Sequence, residues 1–122
     1  MKRFVMVAAM CCLFSSPARA ALKVSGNDST MQIDTSGFPT EMKANYELMT
    51  SKCTKCHTLE RLVISYTSWV AAVSDQPFDM EFLKVTAYSM FRKSEAKNFP
   101  ISKDERKSIY AVLKFMLDGS AH

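Results

Sequence analysis

Glycine, proline and histidine are all scarce in this chain of 122 residues. Three Gly and four Pro exclude collagen-like and low-complexity polymers, which need far more of both. Two His residues, without a Ser–His–Asp set, argue against hydrolytic or acid–base chemistry. The length allows one domain and excludes a large α/β enzyme with a separate substrate domain.

The first 20 residues have the organisation of an export signal. Lys2 and Arg3 precede an apolar run from Phe4 to Phe14, and Ala18-Arg19-Ala20 is a small-x-small cleavage site. The run is too short to cross a bilayer, which takes about 20 apolar residues. We therefore expect a signal peptide over 1–20, cleavage after Ala20 and a periplasmic location. An uncleaved amino-terminal anchor is the alternative.

Cleavage would change the composition of the working protein. The whole chain has 16 basic and 12 acidic residues, but the leader contains three of the basic ones and none of the acidic ones. The mature chain would be nearly neutral, with no basic stripe for nucleic acid. Cys11 and Cys12 would leave too, so that Cys53 and Cys56 remain and a disulfide framework is excluded. No second apolar run reaches membrane length, so no membrane span is expected in the mature chain.

The mature chain divides into a polar arm and a helical domain. Residues 21–40 are rich in turn-forming residues and predict an arm that either wraps the domain or stays mobile. Residues 41–122 form the domain, and its first helix is expected to begin after Pro39 with Thr40 as N-cap. The apolar face of that helix has helical spacing: Met42, Tyr46, Met49 and Cys53.

Two helices are expected in the middle of the chain. Thr67 or Ser68 would cap a short helix, and roughly 79–92 would form a longer one with a mixed apolar pattern. The apolar residues of the short helix would be Trp69, Val70 and Val73.

The last helix has the clearest signals. Ser102 and Glu105 have the spacing of a capping box, in which each side chain accepts from the backbone N–H of the other residue. A helically spaced apolar stripe follows, and Gly119 would supply a left-handed cap at the end. No segment alternates with a period of two, so the predicted fold class is all-α.

The strongest functional signal is the pentapeptide Cys53-Thr54-Lys55-Cys56-His57. Cys-x-x-Cys-His is typical of c-type haem attachment. Two cysteines three apart on one helical turn can each form a thioether to a vinyl group, and the adjacent imidazole can bind the iron. A covalent haem would also supply apolar core to a domain that is otherwise small.

Other uses of these cysteines fit less well. A structural zinc site needs four ligands, and the only other His of the mature chain is His122. A thioredoxin-type motif expects a βαβ setting, which the pattern lacks. A disulfide between Cys53 and Cys56 would close a very small loop.

The motif, its continuation Thr58-Leu59-Glu60-Arg61-Leu62 and the capped last helix resemble the small monohaem class I c-type cytochromes of exported bacterial type. The resemblance covers about residues 41–117. It implies a helical bundle around one haem c, with Cys53, Cys56 and His57 binding the cofactor and His57 binding its iron. It also implies that the first and last helices cross.

The sixth iron ligand is expected to be a methionine, because thioether sulfur raises the reduction potential relative to a second His. Four of the six methionines of the mature chain fall in the arm or on predicted core faces, which leaves Met80 and Met90. By resemblance to a Met-x-x-Lys segment of the family, Met90 is the expected cofactor and metal ligand. Met80 is the runner-up, and His122 or an open position is the third possibility.

The sequence departs from the family pattern at two points. Trp69 lies farther from Met90 than the family pattern expects, which implies an insertion around 65–78. The acceptor for the second ring nitrogen of His57 is undefined, because the next proline is Pro77. Four side chains are candidate donors to the haem propionates: Lys52, Lys55, Arg61 and the Trp69 indole.

These features together predict an electron carrier rather than an enzyme. Its iron would cycle between Fe(II) and Fe(III), and redox proteins would dock transiently at the haem edge, with neither nucleic acid nor membrane as a partner. A haem protein with an open sixth position and a small electron-transfer subunit of a larger complex are the alternatives. Five residues predict a basic rim near the haem edge: Lys52, Lys55, Arg92, Lys93 and Lys97.

Overall fold

A computed structural model describes residues 22–72 and 74–120 of the protein. The predicted leader over 1–20, Val73 and His122 lie outside these ranges. The described part is mostly helical, as the all-α prediction requires, with one small sheet that the sequence pattern did not indicate. Its helices are α1 (Thr40–Cys53), α2 (Glu60–Ser68), α3 (Met80–Ala96) and α4 (Lys103–Ser120). None of the described helices is long and apolar enough to cross a bilayer.

The segment predicted as an arm packs on the helices as a hairpin. Strand β1 (Val24–Ser25) pairs antiparallel with β2 (Gln32–Ile33), and a single 3₁₀ turn over Asp28–Thr30 connects them. Gly26 lies between with φ of 76°, a left-handed conformation that glycine adopts without a steric penalty. The Phe38 ring then packs edge-on against Tyr46 and Phe115, which ties the end of the segment to α1 and α4.

Helix α4 is the centre of the fold, because α1, α2 and α3 all pack against it. Its apolar stripe is almost completely inaccessible to solvent. The residues of that stripe are Ile109, Val112, Leu113 and Met116. On α1, Met49 is fully buried and Tyr46 nearly so, which confirms the apolar face predicted from helical spacing.

The predicted start of α4 is confirmed and its predicted end is wrong. The Ser102 hydroxyl accepts from the Glu105 backbone N–H at 3.2 Å, and the Glu105 carboxylate accepts from the Ser102 N–H at 2.9 Å. These bonds, with Lys52 beside the carboxylate, lower the pKa of Glu105. Gly119 lies inside the helix, which continues to Ser120. Glycine at a helix end is only a tendency, and here the backbone hydrogen bonds continue through it.

The expected short helix after Thr67 is also wrong. Helix α2 lies earlier in the chain and ends at Ser68, and Trp69 has a left-handed φ of 61° that reverses the chain direction. The Phe78 N–H donates to the Trp69 carbonyl at 2.9 Å, which closes a loop between α2 and α3. Trp69 and Val70 therefore belong to a loop. The helical spacing of Val63 and Tyr66, close behind the motif, was the sequence signal that could have predicted α2.

The other helix boundaries differ by smaller amounts. Helix α1 begins at Thr40, so Pro39 occupies the cap position that was expected for Thr40. Helix α3 runs four residues beyond the expected end and begins after Asp79, whose side chain accepts from the Phe82 N–H at 2.9 Å. This N-cap satisfies one of the unpaired amides of the first turn.

A buried tyrosine provides a test of this packing. The Tyr66 hydroxyl donates to the Leu113 carbonyl at 2.6 Å and joins α2 to α4. We expect Tyr66→Phe to lower the free energy of unfolding by about 1 kcal/mol, the net value of a typical buried hydrogen bond. Urea denaturation followed by circular dichroism measures this change. Tyr88→Phe is the matched control because Tyr88 is 64% exposed, and equal midpoints for the two variants would contradict the role of this bond.

Candidate functional site

The Cys-x-x-Cys-His motif lies where α1 ends. Cys53 is the last residue of the helix, and the Thr54 N–H still donates to the Thr50 carbonyl at 3.1 Å. The chain then turns, with the Cys56 N–H donating to the Cys53 carbonyl at 3.4 Å. Neither cysteine forms a disulfide. Two thiols and an imidazole are therefore grouped on one turn whose position is set by the packing of α1.

The two thiols differ in their surroundings. Cys53 is half-buried, and burial first, then the nearby Cys56, raises the pKa of its thiol to about 11. Cys56 is exposed. At neutral pH the Cys53 sulfur is consequently a neutral thiol packed beside apolar side chains.

The orientation of His57 is defined by a local hydrogen bond. Its Nδ1 lies 2.8 Å from the Thr58 carbonyl oxygen. Because a carbonyl can only accept, Nδ1 is the donor of this bond, and Nε2 is the ring nitrogen that could bind a metal ion. A ligating histidine usually donates its other N–H in this way, which fixes the tautomer and the ring. The acceptor that the sequence left undefined is thus Thr58, and no proline is involved.

Two adjacent cavities open beside the motif, of about 220 and 400 Å³. We call them the smaller and the larger cavity. Four residues line both: Cys53, His57, Met90 and Lys93. Each cavity lies within or near the size range of cofactor sites, and the shared residues make the two cavities neighbours.

The walls of the larger cavity are mainly apolar. They come from every helix and from the loop between α2 and α3. Its apolar lining residues include Met49, Leu59, Leu62, Ala71, Phe78, Phe82 and Leu113. The loop is held there by Ser65, whose hydroxyl accepts from the Ala72 N–H at 3.1 Å and donates to the Arg61 carbonyl at 2.8 Å. The segment around 65–78 therefore contributes one wall of the site.

The two candidate methionines are placed differently. Met90 lines both cavities together with His57. Met80 is absent from both linings, and its sulfur accepts a hydrogen bond from the Tyr110 hydroxyl at 3.5 Å. Of the two, only Met90 shares a cavity with the imidazole. The third candidate, His122, lies outside the described residues.

Charged groups surround the cavities unevenly. Arg61 and Lys93 line the larger cavity, and Lys52, Lys93 and Lys97 line the smaller one. Lys52 pairs with Glu105 at 3.2 Å. In the described part of the chain, neither Lys93 nor Lys97 has a carboxylate within 4.0 Å.

Two of the expected donors lie away from the cavity linings. Lys55 is placed over the Phe99 ring, with its Nζ 5.6 Å from the ring centre, and Phe99 itself lines the smaller cavity. Trp69 caps α2 and lines neither cavity. Of the four candidate propionate donors, Arg61 and Lys52 are the two that the fold places at the cavity walls.

The composition of this region fits a covalent haem. Two free thiols, an imidazole and a thioether line it, together with mainly apolar side chains and several cations. These are the groups that a flat, apolar ring with an iron centre and two carboxylates requires. A cluster of three or more His, Cys, Asp or Glu side chains suited to hold a metal ion by themselves does not occur among the described residues.

Several residues of the site were missed from the sequence. Phe82 and Thr86 line the larger cavity, two turns and one turn before Met90 on α3. Their spacing of four residues was a readable signal, since it places all three on one helix face. The contributions of Phe78 and Ala71 had no such signal, because they depend on how the loop folds back.

Comparison of this chain with protein-family models, with curated proteins and with solved structures gave no match.

Proposed function

We propose that this protein is an exported monohaem c-type cytochrome that carries single electrons between redox proteins. In this proposal one haem is attached through thioethers to Cys53 and Cys56, and the iron is bound by His57 and Met90. The observation that carries the proposal is that His57, with Nδ1 bonded to Thr58, lines the same cavities as Met90 beside two free thiols. The leader would direct the protein to the periplasm.

The chain holds the cofactor rather than acting on a substrate. Haem iron supplies the chemistry, a reversible one-electron change. His57 and Met90 would both bind the iron in this proposal, so that the same two ligands would be kept in both oxidation states. The walls from α1, α3 and α4 are parts of packed helices, which limits movement when the charge of the iron changes.

The polar edge of the haem is best accommodated at the larger cavity. Haem propionates are carboxylates and are stabilised by cations and N–H donors. Arg61 and Lys93 line this cavity on α2 and α3 respectively, and the exposed Cys56 lines only the smaller one. We therefore assign the propionates to the side of Arg61 and the thioether edge to the smaller cavity.

The thioether edge is the proposed point of contact with redox partners. The smaller cavity is lined by three lysines, and Lys93 and Lys97 carry charge that no carboxylate of the described chain neutralises within 4.0 Å. Such a cationic rim attracts anionic partners over a range set by the Debye length. Transient docking at this rim suits a carrier, because small interfaces dissociate quickly.

Haem attachment is the first prediction of the proposal. When the full chain is produced in cells that mature c-type cytochromes, we expect one haem that stays with the polypeptide under denaturing conditions and gives a thioether-type pyridine haemochrome spectrum. The double variant Cys53→Ser/Cys56→Ser should lose all covalent haem. Thr54→Ala, a change between the cysteines, should keep it. Haem that can be extracted from the unaltered protein would contradict the proposal.

Replacing the methionines tests the axial ligands. Met90→Ala should abolish the near-infrared charge-transfer band of ferric iron bound to methionine sulfur, and should lower the reduction potential because the thioether sulfur, which favours Fe(II) over Fe(III), is lost. Met80→Ala is the matched control, since its sulfur is bonded to Tyr110, and should keep the band. A band that persists in Met90→Ala would refute this ligand assignment.

Salt dependence tests the cationic rim. We expect the rate at which hexacyanoferrate(III) oxidises the reduced protein to fall as ionic strength rises, because salt screens the attraction of an anionic oxidant. Lys97→Gln should weaken this dependence. Lys84→Gln, on α3 but outside both cavity linings, should leave it nearly unchanged. A rate that does not vary with salt would remove the rim from the proposal.

A further inference from the structure

Arg106 makes three contacts near the start of α4. Its Nε donates to the Ile101 carbonyl oxygen at 2.8 Å. The central carbon of its guanidinium lies over the Phe91 ring, 5.7 Å from the ring centre, which is within the range of a cation–π contact. Its Nη2 donates to the Glu95 carboxylate. One side chain therefore joins α4 both to α3 and to the loop that connects the two helices.

The three contacts of Arg106 differ in their surroundings. The side chain of Glu95 is 52% exposed, and an exposed ion pair contributes little to stability. Phe91 and Ile101 are buried. The stack on the ring and the bond to the Ile101 carbonyl are thus partly shielded from water, which strengthens both of them. These two contacts, rather than the ion pair, fix the guanidinium.

Phe91 connects Arg106 to the candidate iron ligand, because it directly follows Met90 on α3. Consecutive residues of a helix point about 100° apart, so Phe91 meets Arg106 while Met90 lines both cavities. The buried Ser94 hydroxyl also donates to the Phe91 carbonyl at 2.7 Å. A shift of Phe91 away from α4 would therefore move Met90 as well.

The part of α4 that bears Arg106 is itself fixed to the motif helix. The neighbouring Glu105 pairs with Lys52 at 3.2 Å, and Lys52 directly precedes Cys53 at the end of α1. Helices α1 and α4 also pack against each other. Holding α3 to this part of α4 consequently sets the place of Met90 relative to the motif.

We propose that Arg106 is a positioning residue that holds the Met90 turn of α3 against α4 and so keeps the thioether beside His57. The inference rests on the proposed function, because it concerns Met90 as an iron ligand. Arg106 lines neither the smaller nor the larger cavity. It acts through the Phe91 ring and the Ile101 carbonyl rather than by contact with the haem.

An added ligand measures how firmly Met90 is held. Imidazole can bind the ferric iron only where the thioether has moved away, and its apparent affinity scales with the fraction of molecules in that state. We expect Arg106→Met to bind imidazole about tenfold more tightly than the unaltered holoprotein, which corresponds to about 1.4 kcal/mol. The titration is followed by loss of the near-infrared band of methionine-bound ferric iron.

Arg106→Lys guards against a general loss of structure in Arg106→Met. It keeps the positive charge but lacks the planar group that stacks on Phe91, so imidazole affinity should rise here too. Lys107→Met is the matched control, since it removes the same charge from the next, exposed residue of α4, and it should match the unaltered protein. Circular dichroism identifies any variant that is unfolded.

Tyr66→Phe separates positioning from overall stability. This change removes the buried bond from α2 to the Leu113 carbonyl of α4 and leaves the contacts of Arg106 in place. It should lower the urea midpoint without changing the affinity for imidazole. An increase in affinity equal to that of the Arg106 variants would show that affinity follows stability alone, and would overturn the positioning role.

The remaining outcomes distinguish this inference from the function on which it rests. Tighter imidazole binding in the folded Arg106 variants, with both controls unchanged, would support the positioning role. Unchanged affinity in those variants would overturn it and leave the cytochrome proposal intact. Covalent haem without the near-infrared band in the unaltered protein would overturn the role together with the Met90 assignment. Absence of covalent haem would overturn the proposed function as well.

Discussion

The packing of three helices on α4 is the constraint on which the site depends. Cys53 and Met90 are far apart in the chain, and they line common cavities because α1 and α3 both pack on the same buried stripe of α4. A closely packed protein core transmits small shifts of its side chains. The width of the cavities therefore depends on fully buried side chains of α4 such as Val112 and Met116. The site is thus a consequence of the core rather than an addition to it.

The described chain also has mainly apolar cavities beside its buried core. A small domain buries a limited fraction of its surface and often needs a metal, a disulfide or another aid to be stable. Here the cysteines are unpaired, and the cavities between α1 and α3 are bounded by residues such as Met49, Phe78 and Leu113. A covalently bound apolar ring would complete this core, so attachment and folding are physically linked in the proposal.

His57 connects the two sides of the molecule. On one side it shares cavities with Met90, and on the other it faces the amino-terminal hairpin across a polar space. Its hydrogen bond to Thr58 is local and follows from the turn after α1.

The sequence by itself determined the features that depend on neighbouring residues. The helical character, the apolar face of α1 with Tyr46 and Met49, the capping box at Ser102 and the chemical identity of the motif all follow from local spacing. The tertiary structure decided what depends on distant contacts: the hairpin, the loop after Ser68, and the choice between Met80 and Met90 as a neighbour of His57. Helical periodicity shows which side chains share a face, but it carries no information on which other element that face meets. That information came from packing on α4, because apolar burial is non-directional and only the complete set of buried faces selects one arrangement.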